Sequence, residues 1–261
     1  LDNWYFRNPV NQRGLAEYGE GYTIDRWCLY VSGNTTISIE NGVVIHEGAG
    51  GYFQQRLERS KMEKLLGQAA TLSVLINNQL YSATDLLGYP GNRCIIRGLP
   101  VGESSLFWDD VKCEINVSLT GGAGVLQAVK LELGTIQTLA HQDASGNWVL
   151  NDPPPDKTLE LLKCQWYQQC AGFTRVAFGP IIAGHTVSSS IQIGKMRENP
   201  TCKLGLLDIP YQERIAFDPA KMIFICTDRH NISVDISDME IANRVAGKTV
   251  TIVDFFADAN L

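Results

Sequence analysis

The chain lacks long apolar runs and clustered basic residues, and each absence excludes a class of protein. No stretch reaches the roughly 20 apolar residues of a membrane-spanning helix, so no membrane insertion is expected. The first residues also lack the basic-then-apolar pattern of a secretion signal. The 22 Lys and Arg residues are scattered among 28 Asp and Glu, with a net charge of −6. Because phosphate binding requires clustered basic side chains, no nucleic-acid partner is expected.

Catalytic signatures are missing as well. The sequence contains no Gly-x-Ser-x-Gly elbow and no His-Glu-x-x-His helix. Its four histidines lie outside any recognisable catalytic setting, at His46, His141, His185 and His230. We therefore expect a protein that is not an enzyme.

Metal-binding patterns are equally scarce. The seven cysteines are an odd number with no Cys-x-x-Cys spacing, which argues against zinc and against a disulfide framework. We expect most of them to be reduced and buried. Asp109 and Asp110, beside Trp108, leave a structural calcium ion open, but no dense Asp/Asn loop supplies six to eight oxygens. A polar turn is the favoured interpretation, and no cofactor is expected.

What the chain does contain is typical of β-structure. It has 24 glycines and 10 prolines, and its Val, Ile and Thr residues occur in short clusters. About nine short strand patterns precede residue 135, with turn residues between them, as in a β-sandwich or jelly roll. The segment 111–119 alternates cleanly, which predicts one buried and one wet face. We expect Trp4, Phe6 and Trp27 to lie in the core, since large aromatics dominate core burial.

A polar, breaker-rich segment divides the chain. Residues 141–157 include three consecutive prolines, which predict an extended linker. A helix should follow, with an apolar stripe of Leu159, Leu162, Trp166 and Tyr167. The predicted organisation is therefore all-β: an N-terminal sandwich at 1–140, the linker at 141–157, and the helix with a smaller C-terminal β domain at 158–261. Trp148 and Trp166 are expected to pack between the two domains or between neighbouring subunits.

Several phrases resemble a known family. Residues 3–14 read Asn-Trp-Tyr-Phe-Arg-Asn-Pro-Val-Asn-Gln-Arg-Gly, and residues 21–27 read Gly-Tyr-Thr-Ile-Asp-Arg-Trp. This opening resembles the jelly-roll, carbohydrate-binding-module-like domain of phage and prophage tail-fibre and minor structural proteins. Further resembling phrases lie at 128–134, 160–167, 195–201 and 256–259. Trp166 stands where that family commonly has arginine.

The resemblance implies an N-terminal jelly-roll sandwich in a virion tail component, assembled in the bacterial cytoplasm and acting outside the cell. It implies receptor binding, by non-catalytic attachment to a bacterial surface glycan. Fibres of this class are usually homotrimers, so the helix after Pro155 or the C-terminal domain is expected near the axis, with other tail proteins as partners. Two alternatives remain: a structural tail component without a sugar ligand, and a polysaccharide depolymerase.

The predicted carbohydrate site consists of aromatics near loops with polar neighbours. Aromatic rings stack on sugar rings, while amide and carboxylate groups bind the hydroxyls. The candidate aromatics are Trp108, Tyr81, Tyr89 and Tyr52, and the candidate polar residues are Asp85, Asn92 and Asp109.

Overall fold

The computed structural model confirms the all-β class, with 47% of residues in strands and 12% in helices. It describes residues 1–31, 35–46, 50–178, 187–193, 195–196, 201–203, 206–208, 214–216, 222–226 and 231–258. Two compact units divide the chain, residues 1–161 and residues 162–260. His185 and His230 lie outside the described residues, as do parts of the phrases at 195–201 and 256–259.

The first unit contains a sandwich of two six-stranded antiparallel sheets. Its strands in chain order are β1 (Glu17–Tyr18), β2 (Gly21–Tyr22), β3 (Cys28–Val31), β4 (Ile37–Ile39), β5 (Val43–Ile45), β6 (Gly51–Arg56), β7 (Ala69–Ile76), β8 (Gln79–Leu86), β9 (Gly91–Leu99), β10 (Gly102–Trp108), β11 (Cys113–Ser118) and β12 (Gly124–Leu133). The first sheet has the order β1-β4-β5-β12-β7-β8, and the second has the order β2-β3-β6-β11-β10-β9.

The chain crosses between these sheets repeatedly. Strands β5, β6 and β7 alternate between the two, and β12 returns to lie between β5 and β7. This alternation is the kind a jelly roll requires, whereas β9, β10 and β11 form a meander within the second sheet. The crossovers place strands that are distant in sequence next to each other, which is why the pairing order could not be predicted.

Three large aromatics fill the centre of the sandwich. Phe6, Trp27 and Phe53 are fully buried. The Phe6 and Trp27 rings meet edge to face at 5.0 Å, and Trp27 stacks on Phe53 at 4.8 Å. The core prediction is confirmed for Phe6 and Trp27. Trp4 is only partly buried and packs against a smaller cluster that includes Leu139.

Part of the predicted linker is a β-hairpin. Strands β13 (Ala140–Gln142) and β14 (Trp148–Leu150) pair antiparallel. Asp143 organises the turn, because its carboxylate accepts hydrogen bonds from the backbone N–H groups of Ser145 and Asn147. The hairpin packs against the first unit through Ala140 and Trp148, which join the cluster around Leu139. The hairpin therefore belongs to the first compact unit, and Trp148 packs within that unit.

The helices are short. Helix α1 (Arg59–Met62) runs into a 3₁₀ turn at Glu63–Leu65, and helix α2 (Lys157–Gln165) begins where the Asp156 carboxylate accepts from the N–H groups of Thr158 and Leu159. The predicted apolar stripe of α2 is not the buried face of the helix. Leu159 and Leu162 are 60% and 58% exposed, and Trp166 is 37% exposed. The buried positions are instead Glu160, Cys164 and Tyr167.

The second unit is also built from antiparallel strands, and its described residues include helix α3. Its elements are β15 (Gln168–Ala177), β16 (Val187–Gln192), β17 (Thr201–Lys203), β18 (Leu206–Asp208), β19 (Arg214–Ala216), β20 (Met222–Cys226), β21 (Asn231–Ile236), α3 (Met239–Val245) and β22 (Thr249–Asp258). One sheet has the order β15-β22-β18-β19 with β17 also on β22, and the other has the order β16-β21-β20. Its core includes Ile232, Val234, Ile241 and Ile252.

Candidate functional site on the outer face of the second sheet

The residues predicted to bind carbohydrate do not converge on one site. Tyr81 lies in β8 of the first sheet, where it is half-buried and packs against the sandwich core. Asp85 is exposed on the same strand. Only Tyr52 and Asn92 lie on one surface, which is the outer face of the second sheet.

Trp108 is a core residue, which corrects the expectation that it meets the ligand. Its side chain is fully buried in the sandwich, because it points inward at the end of β10 while Phe107 points outward. The ring of Tyr89 covers it at a centroid distance of 5.9 Å. The guanidinium of Arg59 lies in turn 5.5 Å from the Tyr89 ring. Trp108 thus lies beneath the exposed ring of Tyr89 and supports it, but is not itself part of the surface.

Asp109 forms a turn, as the favoured interpretation proposed. Its carboxylate accepts hydrogen bonds from the N–H groups of Val111 at 2.7 Å and Lys112 at 2.8 Å. These backbone donors, that of Lys112 foremost, lower the pKa of Asp109. Among the described residues, no cluster of three or more His, Cys, Asp or Glu side chains could hold a metal ion.

The outer face of the second sheet carries the polar and aromatic side chains that alternate with the core residues of β3, β6, β10 and β11. In β6 and β11, Phe53, Ile115 and Val117 point into the core. Their neighbours along the strands point outward and form rows across the sheet. The rows are Tyr30-Tyr52-Ser118, Cys28-Gln54-Asn116-Ser105 and Arg56-Glu114-Phe107-Asn92.

Aromatic rings stand at one end of this outer face. Tyr30 and Tyr52 are direct cross-strand partners and are 62% and 44% exposed. Tyr30 was not among the predicted site residues, although the alternation of β3, with Leu29 and Val31 buried, could have pointed to it. What the sequence could not reveal is that β3 and β6 are neighbours.

The middle of the outer face is polar but withdrawn from solvent. Glu114, Asn116 and Ser118 are buried, although the alternation of β11 predicts a wet face. Glu114 Oε1 accepts from Lys112 Nζ at 2.7 Å. Glu114 Oε2 and Asn116 Oδ1 accept no hydrogen bond from the described part of the chain. A buried acceptor without a donor costs about 1–3 kcal/mol, and both oxygens are closed off from the surface of the sheet.

Two clefts lie at opposite ends of the outer face. The Tyr52 cleft, of about 370 Å³, is lined by Tyr52, Arg97, Gly98, Gly102, Glu103, Ser118 and Thr120. Gly102 has a φ of +133°, and a Cβ there would lie 2.9 Å from Thr120 Oγ1, so a side chain would narrow this cleft. The Arg56 cleft, of about 250 Å³, is lined by Arg56, Leu57, Arg59, Val111, Lys112 and Cys113. Tyr52 and Arg56 are four positions apart in β6, which is about 13 Å along an extended strand.

No family model, curated protein or solved structure matches this chain. In the described part of the chain, no helix combines the length and apolar character needed to span a membrane. The five cysteines whose side chains are described are all free thiols, at Cys28, Cys94, Cys113, Cys164 and Cys202.

Proposed function

We propose that the protein is a receptor-binding component of a phage or prophage tail, and that it attaches to bacterial surface carbohydrate without catalysis. The sequence phrases that resemble tail-fibre proteins support the tail assignment. The observation that supports carbohydrate binding is the outer face itself, where exposed Tyr30 and Tyr52 are cross-strand neighbours and Tyr52 lines a cleft with polar walls.

This combination suits the chemistry of sugars. A sugar ring offers an apolar C–H face, which stacks on an aromatic ring, and hydroxyl groups at its rim. Those hydroxyls would meet the polar side chains of Arg97 and Glu103, which line the Tyr52 cleft. Each site would bind weakly, and several copies in one particle would multiply the affinity through effective concentration.

The spacing of carboxylates favours binding over hydrolysis. Glycoside hydrolysis requires two carboxyl groups about 5–9.5 Å apart. Glu114 Oε1 is occupied by Lys112, and Glu103 stands at the Tyr52 cleft. Because Ser104 pairs with Val117, Glu103 and Glu114 lie about four residues apart along the sheet, or roughly 13 Å between backbones. A depolymerase therefore has less support than a binding protein.

Assembly into a homotrimer, with other tail proteins as neighbours, is part of the same proposal. The exposed stripe of Leu159, Leu162 and Trp166 supports self-association, because apolar side chains on one helix face gain by being covered. The same stripe favours the second candidate function, a structural tail component without a sugar ligand. A virion tail is the proposed location in both cases.

Binding of the full chain to host cell-wall polysaccharide tests the proposal. We expect Tyr30→Ala and Tyr52→Ala to weaken binding, because each removes a stacking surface. Leu86→Ala is the matched control, since Leu86 is 60% exposed but lies in β8 of the other sheet. If the assembled wild-type protein binds no host polysaccharide, the structural candidate is favoured instead. Release of reducing sugar would favour the depolymerase.

A further inference from the structure

The Tyr52 cleft contains two side chains of opposite charge, Arg97 and Glu103. In the described part of the chain, neither side chain takes part in an ion pair or a hydrogen bond. This differs from the other end of the outer face, where Lys112 and Glu114 are paired at 2.7 Å. The Tyr52 cleft therefore presents a cation and an anion that do not neutralise each other.

The hairpin of β9 and β10 places both charges on the outer face. Ser104 and Ile96 are cross-strand partners and both are buried, so their neighbours Glu103 and Arg97 point outward. The register of β10 on β9 shifts between Gly102 and Ser104, at the position of Glu103. Such an irregularity changes the direction of a side chain relative to its neighbours. The shift accounts for two opposite charges that line one cleft without pairing.

Tyr52 and two hydroxyl groups complete the cleft. Tyr52 is 44% exposed and is the cross-strand partner of Ser118. The hydroxyls of Ser118 and Thr120 share one hydrogen bond at 2.9 Å, so one hydroxyl proton remains for another acceptor. Tyr52 and Glu103 lie on β6 and β10, on either side of β11, which separates their backbones by roughly 10 Å. One sugar residue with its substituents can span this width.

The two charges restrict the kind of ligand that suits the cleft. A ligand with a single charge is attracted by one of the two side chains and repelled by the other. A neutral sugar can bond to both, but hydrogen bonds between two charged groups are the stronger ones. A ligand that carries both charges meets Arg97 and Glu103 with an opposite charge each. The cleft is therefore most complementary to a dipolar group beside a sugar ring.

We propose that the Tyr52 cleft binds a zwitterionic saccharide, with an ammonium group and an anionic group on one sugar residue or on adjacent ones. Glu103 binds the ammonium group, Arg97 binds the anionic group, and the sugar ring lies against Tyr52. This inference rests on the proposed function of the outer face. A sugar with both amino and carboxyl groups and a sugar with an aminoalkyl phosphate substituent share this chemistry, and the experiment separates them.

Calorimetric titration of the full chain with four forms of one amino-uronic oligosaccharide provides the test. The parent form is zwitterionic. N-acetylation leaves only its carboxylates, reduction of the carboxyl groups to alcohols leaves only its ammonium groups, and both changes together leave a neutral oligosaccharide. We expect the zwitterion to bind more tightly than the other three, and the neutral form to bind about tenfold or more weakly than the zwitterion. A neutral oligosaccharide that carries phosphoethanolamine is the second zwitterion, and the tighter of the two identifies the source of the charges.

Two variants assign the charges to their partners. Arg97→Gln should weaken binding of the zwitterion and of the carboxylate form about tenfold, the effect of one charge-assisted hydrogen bond, without weakening the ammonium form. Glu103→Gln should weaken the zwitterion and the ammonium form without weakening the carboxylate form. Arg7→Gln and Glu40→Gln are charge-matched controls, because both side chains are exposed and lie outside the cleft. Arg97→Lys keeps the charge and should recover part of the affinity.

The possible results separate this inference from the proposed function. If all four forms bind equally and neither variant changes their affinity, the zwitterion site is overturned while carbohydrate binding stands. If no saccharide binds, the proposed function falls, and free phosphoethanolamine becomes the probe. Binding of phosphoethanolamine by the wild type that is lost in Arg97→Gln and Glu103→Gln supports the charged cleft by itself. No binding, or binding that both variants retain, overturns it.

Discussion

The backbone N–H of Asn3 donates a hydrogen bond to the carboxylate of Glu160, a residue 157 positions along the chain. Glu160 is buried on the first turns of α2, and Asn3 has a φ of +53°. This contact joins the first residues of the sandwich to the helix that follows the three prolines. It explains why the first compact unit extends to residue 161 and includes the segment predicted as a linker.

Asn3 is predicted to be one of the most sensitive positions for stability. Its Nδ2 donates to the carbonyls of Val10 and Asp25 at 2.9 and 2.8 Å, and its Oδ1 accepts from the N–H of Val10 at 2.7 Å. Asn3→Ala leaves the N–H of Val10 and the carbonyl of Asp25 without this partner, while the carbonyl of Val10 still accepts from the N–H of Asp25, so we expect a loss of about 3 kcal/mol in the free energy of unfolding. Denaturant titration measures it. Exposed Asn92→Ala should cost less than about 1 kcal/mol, and equal losses for both variants would contradict the prediction.

Asp25 is predicted to make stability fall as pH rises. Burial raises the pKa of this carboxyl to about 6, above its ordinary value of 3.8. The folded state therefore binds the proton more tightly than the unfolded chain, so the stabilisation is complete below about pH 4 and lost as pH rises through 6. The shift corresponds to roughly 3 kcal/mol.

Asp25→Asn provides the comparison for this pH dependence. The amide keeps an oxygen that can accept from the N–H of Gln12, now bonded to Asp25 Oδ2 at 3.1 Å. We expect the variant to lose the decline in unfolding free energy between pH 4 and 7, as measured by denaturant titration across that range. Asp85→Asn controls for the loss of one exposed charge. Parallel pH profiles for the wild type and Asp25→Asn would show that the prediction is wrong.

Trp108 and Tyr52 are predicted to separate stability from ligand binding. Trp108→Ala removes a fully buried indole and should cost about 3–5 kcal/mol. Tyr52→Ala removes a side chain that is 44% exposed and should cost less than about 1 kcal/mol while weakening carbohydrate binding. Thermal unfolding and glycan titration on both variants check this. Normal stability in Trp108→Ala would place the indole outside the core.

The exposed stripe of α2 is predicted to mediate self-association. Leu159→Lys combined with Leu162→Lys puts two charges on this exposed apolar stripe, so the proposed homotrimer should dissociate. Multi-angle light scattering measures the mass of each form. Lys157→Gln, at a polar and exposed position of α2 outside this stripe, should leave the mass closer to that of the wild type. A monomeric wild-type protein would rule out the proposed interface.

Local patterns predicted much of the first unit correctly. Short Val, Ile and Thr runs between turn residues indicated the strands, and the aromatic opening indicated Phe6 and Trp27 as core. These predictions succeeded because burial on one face imposes a period of two on the sequence. Trp108 follows the same period of two. Its prediction as a ligand-binding residue was wrong because it relied on the turn that follows Trp108 and not on the position of Trp108 within β10, where it faces the core.

The helix stripe and the hairpin show a different limit. Leu159 and Leu162 have the spacing of a buried face, yet Glu160 occupies the buried side because its carboxylate meets the N–H of Asn3. The polar run after residue 142 contains a turn, which the side chain of Asp143 forms and the packing of Trp148 stabilises. In both places a contact between distant segments outweighed the local pattern.

The sequence by itself determined the all-β class, the strand periodicity and the aromatic core, because each follows from side-chain alternation and burial within single segments. Only the tertiary structure decided the candidate site. Tyr30, Tyr52 and Glu114 belong to separate strands, and sheet pairing alone brings them onto one face. Likewise, Arg56 and Glu114 are distant in the sequence and become neighbours because β6 pairs with β11.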